Sequence, residues 1–192
     1  MPTYFDFEAT LDGIDPRIWR RFLLRSDLTF QDLHDSIQSA CGWQNYHQFL
    51  FFQPASRNDQ ISLATSCSEA SEELYGRRLP LGNELPLVDF FGAGEGKQRG
   101  CWYEYDFGDS WMHKIALMQC VDRPEVFVRR LVWGERAFPP EDCGGVPGYE
   151  RCREFLESGE DPWDEPEGLK EWLRDWNPER FDLNETRKGF DR

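Results

Sequence analysis

Residues 103–115 read YEYDFGDSWMHKI, a stretch that sets Glu104, Asp106, Asp109 and His113 among four aromatic rings. A carboxylate beside an imidazole is the minimum equipment for general acid–base work, and oxygen with imidazole ligands also suits manganese, magnesium or zinc. A second stretch, PPEDCGG at residues 139–145, adds Glu141 and Asp142 on a loop stiffened by Pro139 and Pro140 and freed again at Gly144 and Gly145. His47 is the other histidine placed to join them. The candidate catalytic set is therefore His47, Glu104, Asp106, Asp109, His113, Glu141 and Asp142. The candidate ligands for a divalent cation are His47, His113, Glu141 and Asp142. Structural readings stand beside these: Glu104 and His113 as a cross-strand ion pair, Asp142 capping the amides of the Gly-Gly turn, Glu141 paired with an arginine.

These groups must be positioned by strands and turns. A glycine in the first position of a tight turn suits type II′, which predicts a hairpin over residues 102–117 turning at Gly108-Asp109. That register sets Glu104 opposite His113 and puts Trp102, Glu104, Asp106, Trp111, His113 and Ile115 on one face. Tyr103, Tyr105, Phe107 and Met112 then face the core. Upstream, residues 3–11 alternate polar and apolar side chains and read as a strand. After the turn LDGIDP, the run IWRRFLLR reads as its hairpin partner. If that run is a strand, Arg17, Arg21 and Arg25 share a face, able to grip an anion or to form ion pairs with a neighbouring strand, while Arg20 points the other way.

Thr29 with Asp32 predicts a capping box, and Phe30, Leu33, Ile37, Ala40 and Cys41 form an apolar stripe ended by Gly42. His34 shares that stripe, which favours a hydrogen-bonded histidine at the core edge over a catalytic one. Residues 46–52 read as a strand with His47, Phe49 and Phe51 on one face. Residues 54–83 read as a loop-rich insertion. Residues 85–91 read as one helical turn, and VFVRRLVW as a further strand. Helices are predicted from Pro147 to about Ser158, with Tyr149, Cys152, Phe155 and Leu156 inward, and over EPEGLKEWLRDW on Leu169, Trp172, Leu173 and Trp176. A last turn falls in DLNETRKGF. Strands and helices do not alternate regularly, so the expected fold is α+β, a single domain with a mainly antiparallel sheet and helices on one face.

Composition narrows the classes. Thirty-six acidic residues against 22 basic ones give a net charge of −14 over 192 residues. A protein that tracks phosphates shows a basic face, so direct nucleic-acid binding is disfavoured. No apolar run is long enough for a membrane span, and the N-terminus carries no basic and apolar leader pattern. Six cysteines without any C-x-x-C pair read as reduced thiols, which together point to a cytoplasmic protein. The segment GAGEGKQRG is one residue short of a Walker loop and has Gln98 where a magnesium-binding hydroxyl belongs, so no nucleotide cofactor is expected. The DFG triplet lacks every other kinase element.

Taken together, GIDPRIWRRFLLRSDLTFQDLHDSIQSACGW, YEYDFGDSWMHKI, PPEDCGGVPGYE and the terminal FDLNE resemble, in order, the plasmid pRiA4b ORF-3-like family, also described as insertion-element passenger proteins of the TnpR type. The resemblance spans nearly the whole chain except residues 54–83. It implies a single α+β domain without an established activity, associated with plasmids and mobile elements. The matching positions are Pro16, Trp19, Arg20, Leu33, His34, Gly42, Trp43, His47, Tyr105 through Asp109, Trp111, His113, Pro139 through Asp142, Gly144, Gly145, Gly148 and Tyr149. Many members carry two cysteines before the PPED loop, where this chain has Leu131 and Phe138, so a thiolate metal site is not expected here.

Three functions follow as expectations. One is a non-enzymatic interaction module with a protein partner, for which Arg17, Arg21, Arg25, Trp43, Trp111 and Tyr149 are the binding candidates. The second is a metal-assisted hydrolase built on the hairpin and the PPED loop. The third is a nucleic-acid-binding accessory protein, which the charge opposes.

Overall fold

The alternation at the N-terminus becomes β1 (Thr3–Leu11), with Phe5, Phe7, Ala9 and Leu11 buried on one face. The computed structural model describes residues 1–56, 59–66, 72, 78–161, 163 and 166–192. After β1 come β2 (Trp19–Arg25), α1 (Phe30–Cys41), β3 (Phe49–Ser56), β4 (Asp59–Thr65) and the short α2 (Leu87–Phe90). Then follow β5 (Gly100–Tyr105), β6 (Trp111–Asp122), β7 (Arg129–Glu135), α3 (Gly145–Ser158), α4 (Pro166–Trp172) and α5 (Leu183–Phe190). Among the described residues the strands form one sheet in the order β4-β3-β5-β6-β1-β2-β7, every pair antiparallel. The chain is thus α+β. Among the described residues no helix is long and apolar enough to cross a membrane.

Helix α1 forms as its sequence dictates: Thr29 and Asp32 exchange both bonds of the capping box, and Gly42 closes the helix in the left-handed conformation. Phe30, Leu33 and Ile37 of α1 join Tyr149, Cys152 and Phe155 of α3, Leu169 of α4 and Phe190 of α5 in one core against the sheet. Arg20 also points to this side. It is buried, donates to the carbonyls of Ala40, Trp19, Glu135 and Arg136, and packs over Phe138 and Phe181. It therefore closes the carbonyl end of α1, the negative end of the helix dipole. The opposite sheet face carries Asp6, held by Nε and Nη2 of Arg21 and by Gln119.

Several expectations change. Residues 54–56 and 59–65 are not loop: they complete β3 and form β4, while most of the remainder of 54–83 lies outside the described residues. Helix α3 begins at Gly145, ahead of Pro147. Leu156 and Trp172 are exposed, because the inward stripes run through Cys152, Phe155, Leu169 and Leu173 instead. Arg17 precedes β2 and pairs with Glu8, Arg21 pairs with Asp6, and Arg25 with Asp27. All three arginines are thus matched by carboxylates of this chain. Trp43, Trp111 and Tyr149 are buried, so they serve the core and present nothing to a partner. Cys41, Cys101, Cys120, Cys143 and Cys152 are free thiols.

The outer edge of β7 is covered. Arg129 and Arg192 exchange backbone bonds, the Leu131 amide donates to Asp191 Oδ1, and Arg187 Nε donates to the Leu131 carbonyl.

Two histidines lie wholly in the core. His34 takes the Tyr103 hydroxyl at Nδ1 (2.7 Å) and donates from Nε2 to Asn45 Oδ1 (2.7 Å), while Gln38 donates to the same Tyr103 oxygen. His113 donates from Nδ1 to the Trp111 carbonyl and stacks on Phe138. Burial lowers both imidazoles to about 4, whereas an unfolded histidine titrates near about 6.5. Between those values the unfolded chain binds protons that the native one refuses. This stability is complete above about pH 6.5 and is lost as pH falls toward 4. Denaturant midpoints should therefore decline from pH 7 to pH 4, and His113→Phe should decline less steeply. An identical slope in the variant would refute the assignment.

Candidate metal centre

The hairpin of β5 and β6 decides what this end of the molecule presents, and its register is one residue away from the expected one. Tyr105 pairs with Trp111, Glu104 with Met112, and Tyr103 with His113. The connection is the five-residue loop 106–110, not a two-residue turn at Gly108-Asp109. Asp106 and Ser110 both adopt positive φ (57° and 52°), and the Ser110 amide returns to the Asp106 carbonyl. Asp106 Oδ1 accepts the amides of Gly108 (2.9 Å) and Asp109 (3.4 Å), satisfying the turn from a side chain. A one-residue slip exchanges the two faces of a strand. Tyr103, Tyr105, Trp111, His113 and Ile115 therefore face the core, and Glu104 and Met112 the other side. The Glu104–His113 pair does not form; Glu104 accepts from Ser110.

Three loops meet beyond the ends of these strands: residues 43–47, 106–110 and 139–145. His47 lies two residues ahead of β3, and its Nε2 stands 2.6 Å from Asp142 Oδ1 and 3.5 Å from Asp106 Oδ2. Ligand atoms of His47, Asp106 and Asp142 all fall within 4.8 Å of one another. Ligands at about 2.1 Å around one ion stand roughly 3–4 Å apart, so a cation would enter by replacing the His47–Asp142 hydrogen bond and widening that 2.6 Å contact. The His47 and Asp142 side chains keep 31% and 60% of their exposure, which leaves solvent access to such an ion.

The surrounding bonds fix these groups. Tyr105 is fully buried, and its hydroxyl accepts the amides of Tyr46 (3.0 Å) and His47 (3.3 Å) and donates to Glu141 Oε1 (2.5 Å). Burial, followed by the hydrogen bond to Glu141, raises the Tyr105 pKa, so the phenol stays protonated and able to donate. Glu141 Oε2 takes the Gln44 amide (2.6 Å), and Trp43 Nε1 donates to the Pro139 carbonyl (2.9 Å). Asp109 Oδ2 accepts the Gly144 amide (3.0 Å). Gly145 has φ +68°, and a Cβ there would lie 2.5 Å from the Asp109 carbonyl, so only glycine allows this approach. Non-glycine positive φ recurs at Asn45, Asp106, Ser110 and Asp142, a concentration of unusual backbone in these loops.

Of the expected ligands, His47 and Asp142 come together. His113 does not join them: it is buried, with one ring nitrogen bonded to Trp111 and the ring packed on Trp43 and Phe138. Glu141 is turned toward Tyr105 and Gln44, and among the described residues it pairs with no arginine. Asp106, read from sequence only as a catalytic candidate, stands in the cluster. The D-x-G-D spacing, in which an aspartate can accept amides two and three residues on, was the available signal. Nothing in the sequence pointed to Tyr105 as the clamp between loops.

The family model of the plasmid pRiA4b ORF-3-like proteins matches residues 3–185. The chain belongs to that family. It is 31% identical over 156 residues to the uncharacterized protein y4hQ of Sinorhizobium fredii (strain NBRC 101917 / NGR234), an alignment covering 81% of this chain and 72% of that protein. It also resembles the crystal structure of MM3350, a protein of unknown function from Methanosarcina mazei Go1, with a TM-score of 0.79 and 30% identity over 96% of each chain.

Tyr105→Phe removes the acceptor of two loop amides and the donor to Glu141. Hydrogen exchange at Tyr46 and His47 should accelerate, and stability should fall by about 1–3 kcal/mol. Unchanged exchange at both amides would show that the loop is held by other contacts.

Proposed function

We propose that this protein binds a divalent cation through His47, Asp106 and Asp142 and uses it in metal-assisted hydrolysis. The observation that carries the reading is the convergence of one imidazole and two carboxylates from three loops, each loop tied to the next by a buried or charge-assisted hydrogen bond. One nitrogen and two oxygens suit manganese or zinc, and three protein ligands leave positions for water. A cation held by His47, Asp106 and Asp142 would supply an acidified water near neutral pH and would polarise the bond under attack.

A second reading, a protein-interaction module, is supported by the exposed Trp133, Trp163 and Trp172. Single exposed tryptophans are weaker support than a converged ligand set. Nucleic-acid binding is disfavoured further by the pairing of Arg17, Arg21 and Arg25. The link with mobile elements rests on the family resemblance alone.

Thermal melting with manganese, zinc or magnesium tests the first reading. At 100 times Kd a ligand adds about 2.7 kcal/mol, which for a chain of this size is a rise of about 5–10 °C. The rise should vanish in His47→Ala and Asp142→Asn and persist in His113→Phe. Wild-type curves that ignore all three metals would overturn the proposal.

A further inference from the structure

The thiols of Cys143 and Cys152 take no part in the cluster, yet the fold puts them together. Cys143 follows Asp142 just ahead of α3, and Cys152 lies inside that helix; their exposures are 6% and 1%. Between them Gly148 is bare, and a Cβ there would run into the Cys143 carbonyl. Cys152 stands four residues on from Gly148, on the same helix face, and helical side chains lean back toward the N-terminus. Its sulfur therefore reaches over Gly148 to the Cys143 side chain, whose thiol donates a hydrogen bond to it. That bond holds the Cys152 thiol below its usual range and Cys143 above it. By contrast, burial pushes the Cys41 and Cys101 thiols up. Reactivity follows thiolate content, so Cys152 is the nucleophile of the pair and Cys143 the neighbour that resolves it.

We propose that Cys143 and Cys152 are a modification site, a dithiol that a peroxide closes to a disulfide, shifting the loop that carries Glu141 and Asp142. No cation at His47 is needed for it. The burial of both sulfurs suits an oxidant as small as hydrogen peroxide. The Cys152 thiolate attacks one peroxide oxygen, the O–O bond breaks, and the departing hydroxide takes the proton that Cys152 gave up. The Cys143 sulfur then attacks the sulfenic acid, the S–O bond breaks, and the leaving hydroxide takes the Cys143 proton. Two thiols and one peroxide give one disulfide and two waters; the sulfurs lose two electrons and the peroxide gains them. Bonded sulfurs stand at about 2.05 Å, closer than any non-bonded contact. Cys143 must then move toward α3 and draw Asp142 and Gly144 with it. The Gly144 amide is held by Asp109 and the Gln44 amide by Glu141, so both bonds loosen.

The test exposes the full chain to a small excess of hydrogen peroxide and maps its thiols by mass spectrometry without reduction. The expected product is a linked peptide pair, Cys143 to Cys152, which dithiothreitol reverses. In the oxidised protein the amides of Gln44 and Gly144 should exchange about tenfold faster or more, the scale of one lost hydrogen bond to a charged group. In Cys143→Ser, Cys152 should stop at the sulfenic acid and be captured by dimedone. The wild-type map needs no variant, so it decides the matter even if Cys143→Ser does not fold. Linkage through other cysteines, a pair still reduced after the exposed Cys120 has been oxidised, or unchanged exchange at both amides would overturn the inference.

Discussion

The buried hydroxyl of Tyr105 is the interaction on which this end of the molecule depends. It belongs to β5 and so inherits the rigidity of the sheet, yet all its partners are on loops: the amides of Tyr46 and His47 and the carboxylate of Glu141. A side-chain oxygen that accepts two bonds and donates a third uses its full capacity. Because it is shielded from water, each lost bond would leave a buried polar group unmatched. One phenol thereby converts two irregular segments into a fixed pair. The pairing brings His47 and Asp142 within reach, and their direct 2.6 Å hydrogen bond completes the contact.

The same end of the chain concentrates costly backbone. Asn45, Asp106, Ser110 and Asp142 hold left-handed backbone, and Gly145 presses against the Asp109 carbonyl, whereas elsewhere among the described residues a non-glycine positive φ occurs at Arg136. Asp106 shows how the strain is contained: one carboxylate oxygen satisfies the turn amides while the other faces His47. The turn and the ligand geometry are therefore one arrangement. A change to the turn would alter the cluster even without touching its members.

Much of the fold was legible because its signals are local. The capping box of Thr29 and Asp32, the stop at Gly42 and the apolar stripe of α1 each need only a few neighbouring residues, as does the alternation of β1. The hairpin register was not legible. Gly108-Asp109 is a good two-residue turn by its own chemistry, but the side chain of Asp106 supports a wider loop, and one residue of slip sends His113 inward and Glu104 outward. From there the cluster could be read only in part: His47 and Asp142, named from their type and loop chemistry, stand together, whereas Asp106 stands with them and His113 does not because of the register. Arg21 and Arg25 were legible as one outward face of β2, but not their partners: Arg21 takes Asp6 across the sheet on β1, and Arg25 takes Asp27 just past its own strand.

The covered border of β7 has a consequence for how the molecule behaves in company. Exposed strand borders invite other chains to add themselves, and proteins protect them with charge or with a covering segment. Here the protection is the final turn of the chain: Asp191, Arg192 and Arg187 occupy the outward amide and carbonyl groups of Arg129 and Leu131. The tail is thus a guard against polymerisation as well as part of the core. A form nicked just before α5 would keep most of its interior but offer a free, partly apolar template to its neighbours. The hazard in such a fragment is fibrous assembly, ahead of any loss of its own sheet.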